Sequence, residues 1–314
     1  MSQSTERHVE HDIVISAPAA DIYRLIADVA SWPRIFPPTI YVDHVEKGER
    51  DERIHIWAVA NGEPKDWTSR RVLDPDNRRI GFRQEVSSAP VAAMGGTWIV
   101  ESLSDSESRV RLLHDYRAVD GDADALAWID RAVDGNSRAE LAALKTNIEL
   151  AHRAEGLAFA FQDSVSVHGS AKDVFDFIND AQLWSSRLPH VASIRLDETR
   201  PGLQTLEMET RAQDGSTHVT KSYRVAFPHR KIAYKQVTLP ALMSVHTGYW
   251  TVAETADAVV ATSQHAVLLN TENIGRVLGA EATVADARDY VRGALSANST
   301  ATLGHAKAYA ESMR

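Results

Sequence analysis

The 314-residue sequence predicts an α+β protein of two tandem domains. Each is an antiparallel sheet curved around one long C-terminal helix, with an interior pocket between sheet and helix. Three observations predict this. The chain repeats itself at a nearly fixed offset. Within each copy the elements run strand, short helix, several strands, long helix. The strand segments alternate apolar and polar residues, as antiparallel strands with one buried face do.

The repeat is read directly. "HDIVISAPAADIYRLIADVASWPRIFP" (11–37) lies over "QDSVSVHGSAKDVFDFINDAQLWSSRLP" (162–189), so Asp21 meets Asp173, Trp32 meets Trp184 and Pro37 meets Pro189, each 152 residues on (184 − 32). "RRVLDPDNRRIGFRQ" (70–84) matches "YRVAFPHRKIAYKQ" (223–236) with one residue deleted. "GGTW" (95–98) matches "TGYW" (247–250), and "GNSRAEL" (135–141) matches "ANSTATL" (297–303). This many matches in one order mark a duplication, with the join near residues 152–158 and domains over 1–153 and 157–314.

In the first copy a strand from Ile13 to Ser16 leads to a helix over 19–29, with Ile22, Leu25, Ile26 and Val29 at helical spacing. "SWPRIFPP" breaks that helix. The turn signals "NGEP", "DPDN" and "SDSES" divide the strands that follow. A helix from Ala123 to Glu155 closes the copy, with Trp128, Leu141, Leu144 and Ile148 as its buried stripe. The second copy inserts "ENIGRVLGAEATV" before its last helix.

Composition narrows the function. With no cysteine, disulfides, thiol catalysis and thiolate metal sites are excluded. A net charge of −9 argues against nucleic acid as a partner. The polar start and the lack of a long apolar run predict a cytoplasmic protein with no membrane partner. No glycine-rich phosphate loop follows a strand, neither HExxH nor GxSxG occurs, and the 13 histidines lack metal-ligand spacing. No cofactor and no metal are expected.

The pocket is read from strand parity. "DWTSRRV" (66–72) puts Trp67, Ser69 and Arg71 on one face with Leu73, opposite Asp66, Thr68, Arg70 and Val72. An inward arginine is costly unless it is paired or wet. No acid shares its face of the strand, so a wet ligand pocket is expected, with Glu85 or Glu101 from other strands as the alternative partners. Val110, Leu112, His114 and Tyr116 share a face, as do Ile80, Phe82 and Gln84, and Trp98 opens the strand before. By the duplication, Ser222 and Arg224 stand where Ser69 and Arg71 do, Gln236 where Gln84 does and Trp250 where Trp98 does. His265 stands near His114 at an offset of 151, and Thr220 replaces Trp67. The apolar set Val219, Tyr223, Val225 and Phe227 has the opposite parity and would turn Arg224 outward; the duplication turns it inward, and that is the expectation adopted. An inward histidine is ordinarily a hydrogen-bonded core residue, and a tryptophan in a strand is ordinarily packing.

The "SWP…F" segment after the first helix, the W-x-S-x-R strand, Trp98 and the tandem copies resemble the di-domain aromatase/cyclases of bacterial type II polyketide synthases, which are START-like, helix-grip proteins. The resemblance covers essentially the whole chain. It implies a poly-β-ketone substrate on the phosphopantetheine arm of an acyl carrier protein, with the ketosynthase/chain-length factor complex as a further partner. It also implies first-ring aldol closure between C7 and C12, then dehydration. Carried over residue by residue, it implies catalytic roles for Arg71 and His114, with Arg224 and His265 in the second copy. Substrate contacts fall to Trp32, Trp67, Ser69, Phe82, Gln84, Trp98 and Asn136, and to Trp184, Ser222, Gln236 and Trp250 in the second copy. A tyrosine proposed as acid/base in some single-domain relatives falls near Thr39, with Tyr41 two residues on. Arg71 would hold carbonyl or enolate oxygens. His114, with a pKa near neutrality, would move the proton of the leaving hydroxyl. The intact Trp67-Ser69-Arg71 face places the main site in the N-terminal half. Two other readings stay open: a START-like carrier of a hydrophobic small molecule, and a cyclase in which pocket shape alone does the work.

Overall fold

The computed structural model describes residues 6–60, 62–153, 156–211, 215 and 217–313. The chain divides into two compact units, Met1–Ala154 and Glu155–Arg314. The first contains β1 (Arg7–Ile15), α1 (Ala19–Ala27), α2 (Trp32–Ile35), β2 (Thr39–Lys47), β3 (Asp51–Ala60), β4 (Glu63–Asp74), β5 (Arg79–Gln84), β6 (Val91–Ser104), β7 (Glu107–Ala118) and α3 (Ala123–Arg153). The second contains β8 (Ala158–Val167), α4 (Ala171–Asn179), α5 (Trp184–Arg187), β9 (Val191–Arg200), β10 (Leu203–Arg211), β11 (Thr217–Phe227), β12 (Lys231–Thr238), β13 (Met243–Glu254), β14 (Val259–Leu269), α6 (Ile274–Leu278) and α7 (Val284–Ser312).

Each unit is a seven-stranded antiparallel sheet, ordered β1-β7-β6-β5-β4-β3-β2 and β8-β14-β13-β12-β11-β10-β9. Six strands form a meander, and the first strand of the unit joins beside the last. This is the α+β, helix-grip arrangement, in two tandem copies. The short helix after the first strand is held by its apolar face: Ile22 and Ile26 in α1, Val174 and Ile178 in α4, each at most 1% exposed. Burying one such side chain contributes roughly 1.5–3 kcal/mol. The side chain of Ser170 caps α4 by accepting from the Asp173 amide, and Thr283 with Asp286 forms a capping box on α7.

The long helix packs on the sheet through Leu126, Ile129, Val133, Leu141, Leu144 and Ile148. Trp128 is not in this stripe and is 40% exposed, which corrects the sequence reading. One residue around a helix is 100°, so burying Ile129 turns Trp128 off the core face. The same phase buries Ser137 and leaves Asn136 exposed, so Asn136 does not face the interior as expected. Helix α1 ends at Ala27 and gives way to a 3-10 turn at Val29–Ser31, and β1 begins earlier than expected, at Arg7. Glu155, where the final helix of the first copy was expected to end, the centre of the join at 154–155, and Asn61 of the "NGEP" turn lie outside the described residues. Among the described residues, no helix is long and apolar enough to cross a membrane.

Candidate active site

In both units the last turn of the short helix leaves backbone carbonyls facing inward, and an arginine from the sheet takes them. In the first unit Arg71 Nη2 donates to Ile26 O at 2.9 Å and Nη1 to Ala27 O at 3.3 Å. The Trp32 ring lies 5.0 Å from its guanidinium, and the Trp32 indole N–H donates to the same Ile26 O at 3.0 Å. In the second unit Arg224 Nη2 donates to Ile178 O at 2.8 Å above the Trp184 ring, whose N–H donates to Phe177 O. Arg224 is 3% exposed, so it points inward with Ser222, as the duplication indicated. The apolar residues of opposite parity, Tyr223 and Val225, are buried too. Both faces are covered from Ser222 to Val225, where parity loses its meaning, while Val219 of the same set stays exposed.

The two arginines differ in what stands opposite. Glu52 pairs in register with Arg71, and its Oε1 accepts from Arg71 Nη1 at 2.7 Å with both side chains buried. The sequence favours a wet pocket without a carboxylate. That expectation is corrected here: the partner comes from β3, not from Glu85 or Glu101. Those two engage outer arginines, Arg53 and Arg111. In the second unit Gln204 occupies the register position opposite Arg224. Its amide nitrogen is turned to Glu198 Oε2 at 2.8 Å and Asn179 Oδ1 at 3.2 Å. Among the described residues, Arg224 Nη1 and the facing Gln204 Oε1 are each buried with no hydrogen-bond partner. Burial lowers both arginines to about 10, which leaves them cationic at neutral pH.

Arg224 lines a cavity of about 130 Å³ together with Ser222, Tyr234, Gln236, His246, Trp250 and His265 of the sheet, Trp184 of α5, and Asn298, Ser299 and Thr302 of α7. An apolar hole of about 150 Å³ admits a benzene ring, so this volume suits one six-membered ring. One wall is a hydrogen-bonded cluster. His246 Nδ1 meets Gln236 Oε1 at 2.7 Å, and His246 Nε2 meets His265 Nδ1 at 3.0 Å. The Tyr234 hydroxyl lies 2.9 Å from His265 Nδ1 and 3.3 Å from His246 Nε2, and Ser263 Oγ lies 3.1 Å from His265 Nε2. Burial lowers His246 to about 3, with His265 adding to it, and His265 to about 4, while it pushes the Tyr234 phenol up. Both imidazoles are neutral at pH 7. Gly248 lies against this ring: a Cβ there would collide with Gln264 O and the Tyr234 hydroxyl.

In the first unit the corresponding wall is plainer. Phe82 stands for Tyr234 and Met94 for His246 (82 + 152, 94 + 152). Gln84 donates to Met94 Sδ at 3.9 Å, and Phe82 meets the His114 ring edge-on at 5.5 Å. His114 Nδ1 lies 3.4 Å from Ser137 Oγ, and burial lowers it to about 4, not near neutrality as expected. Ser69 Oγ donates to Arg83 O, Trp98 packs against Phe36 in the core, and Trp67 packs with Ile54 and Ile56. Thr39 is buried at the start of β2, and the Tyr41 hydroxyl reaches Asp43 at 3.5 Å.

A family described as polyketide cyclase / dehydrase and lipid transport matches twice, over residues 6–149 and 158–311. The chain belongs to this family. It is 56% identical over 304 residues (95% of this chain, 98% of the other) to the granaticin polyketide synthase bifunctional cyclase/dehydratase of Streptomyces virginiae. It is 44% identical over 320 residues (99% of each) to the actinorhodin counterpart of Streptomyces coelicolor. Among solved structures, the di-domain ARO/CYC BexL from the BE-7585A biosynthetic pathway superposes with a TM-score of 0.92 at 62% identity, covering 97% of this chain and 99% of that one. StfQ from the steffimycin pathway superposes with a TM-score of 0.88 at 31% identity, over the same shares. As a polyketide cyclase/dehydratase of the bifunctional, two-domain kind, the chain is an enzyme of polyketide biosynthesis.

Sequence reasoning missed Glu52, Ser137, Tyr234, His246 and Ser263. The repeat held the signal for three of them. Glu52 aligns with Gln204, and the inward apolar Phe82 and Met94 become the polar Tyr234 and His246 in the second copy.

Proposed function

We propose that this cyclase/dehydratase closes the first ring of a poly-β-ketone held on an acyl carrier protein, joining C7 to C12, and then dehydrates it, with the cavity of the second unit as its site. The observation that carries this is Arg224, a cation in the lining of a ring-sized cavity, whose buried Nη1 has no hydrogen-bond partner among the described residues. Ring closure needs a β-diketone methylene to lose a proton and an enolate oxygen to be held. A fixed guanidinium donor in a low-dielectric site favours that oxygen strongly. Trp184 and Trp250 flank the space where a flat ring forms. The methylene between two ketones is already acidic, so positioning the chain supplies much of the remaining acceleration.

Arg71 serves here as a bracing residue, because Glu52 and the helix carbonyls engage both of its terminal nitrogens. This moves the main site from the N-terminal half to the C-terminal one. A carrier protein without chemistry would need an apolar pocket with one orienting group. Arg224, Ser222, Tyr234, Gln236 and two histidines converging on one cavity favour catalysis. A cytoplasmic setting, beside the ketosynthase/chain-length factor complex, belongs to the same reading. The test is reconstitution with a minimal ketosynthase, chain-length factor and carrier protein, on C9-reduced and unreduced chains, with products resolved by mass spectrometry. Wild type should redirect shunt products to one C7–C12 ring pattern, and Arg224→Ala should not. An unchanged profile on both chain types sinks the proposal.

A further inference from the structure

We propose that Gln236 and His246 hold His265 as its Nδ1–H tautomer, and that this donor makes the Tyr234 hydroxyl the acid–base group for dehydration in the second cavity. The inference rests on the functional reading above and assigns the second step to named atoms. Gln236 Oε1 can only accept, so His246 carries its proton on Nδ1 and presents a bare Nε2. That nitrogen lies 3.0 Å from His265 Nδ1, and two bare nitrogens at this distance repel. A proton therefore stands on His265 Nδ1, where it also faces Tyr234 Oη at 2.9 Å. Ser263 Oγ then donates to His265 Nε2. Which imidazole nitrogen is protonated follows from what the other meets.

The step balances without a cofactor. Tyr234 gives its proton to the hydroxyl of the closed ring as the C–O bond breaks. The neighbouring C–H bond breaks, its electron pair forms the C=C bond, and its proton passes to the phenolate that His265 Nδ1–H stabilises. One water leaves, and Tyr234 ends as it began. Arg224 Nη1 holds the adjacent ketone oxygen meanwhile. Tyr234 touches the substrate and is catalytic; His246 and Gln236 are positioning residues. The first copy shows that the cluster is not a requirement of the fold, since Phe82 and Met94 fill the same two places.

That comparison supplies variants whose shapes a sibling domain already holds: Tyr234→Phe and His246→Met. In the reconstituted system, quenched at intervals, both should accumulate a closed product heavier by one water. The dehydration rate should fall on the order of a hundredfold with the ring pattern kept, the usual size of a general acid–base contribution. Nitrogen-15 spectra of the imidazoles, without substrate, should show His265 as Nδ1–H in wild type and as Nε2–H in His246→Met, where Ser263 Oγ accepts from that N–H. Dehydration at the wild-type rate in Tyr234→Phe, or an unmoved His265 tautomer in His246→Met, overturns the relay alone. A wild type that redirects no product overturns the cyclase reading, and the Tyr234 assignment with it.

Discussion

Glu52 closes on Arg71 at 2.7 Å, the two standing opposite each other in β3 and β4, while Gln204 stands opposite Arg224 in the same register and leaves it unsaturated. One carboxylate-to-amide difference separates an arginine held by a buried acid from one whose Nη1 has no hydrogen-bond partner among the described residues. Arg71→Ala should therefore act on stability. It takes the guanidinium from the buried Glu52 carboxylate and leaves His44 Nε2, at 2.9 Å from Oε2, to meet it; breaking a buried pair from one side costs up to about 3–5 kcal/mol. Denaturant melts should show that loss for Arg71→Ala and a smaller one for Arg224→Ala, with the product profile reversing the order. Equal effects of both variants on product would contradict the asymmetry.

The complementary change is Gln204→Glu. A carboxylate there should engage Arg224 Nη1 as Glu52 engages Arg71 and withdraw it from the cavity. Ring-closure rate should fall on the order of a hundredfold, the size of losing one preorganised oxyanion donor. Stability should fall modestly, because the pairing with Arg224 is set against the lost amide bonds to Glu198 and Asn179 and the approach of two carboxylates. Full activity in Gln204→Glu would mean that Nη1 does not touch the substrate.

Acid should unfold the enzyme through its buried histidines. His114, His246 and His265 sit near 4, 3 and 4 in the fold, held down by burial. In the unfolded chain they bind protons near 6.5. Between those values the unfolded state holds more protons, so stability is full above about pH 6.5 and falls as pH drops toward 4. One such histidine contributes on the order of 3 kcal/mol across that window. Melts from pH 7.5 to 4 should show the decline, and His246→Met, with His114 and His265 still in place, should make it shallower by about one histidine's share. A stability that stays level down to pH 4.5 would refute the assignment.

The fold was legible because duplication lets one copy interpret the other, and because alternation on β4 and β7 is clean. Trp67, Ser69 and Arg71 share a face as the pattern required, and Val110, Leu112 and Tyr116 are buried together. What stayed hidden lay between strands. Arg71 was judged by its own strand, whereas its charge is met by the neighbouring one, and pairing of β3 with β4 sets that register. The helical stripe misses at Trp128, and Asn136, which the resemblance implied, is exposed while its neighbour Ser137 is buried. The histidine–tyrosine wall was visible only as two polar exchanges between copies.

Glycine in the second sheet offers a last test of that wall. Gly248 pairs in register with both Tyr234 and His265, and the Tyr234 ring lies over it because no side chain intervenes. Gly96 is its first-copy counterpart, where a Cβ would meet Leu113 O and the Phe82 ring. Alanine at either place must push the sheet apart, at a cost of about 1–3 kcal/mol as for other overpacked sites. The consequences for chemistry should differ. Gly248→Ala lifts the Tyr234 hydroxyl away from His265 and should raise the ratio of hydrated to dehydrated ring, whereas Gly96→Ala moves only a phenylalanine and should leave that ratio at the wild-type value. Time-resolved product ratios, taken where both variants are fully folded, decide the matter. The same ratio change in both would show that general loosening of the sheet, not the placement of Tyr234, controls dehydration.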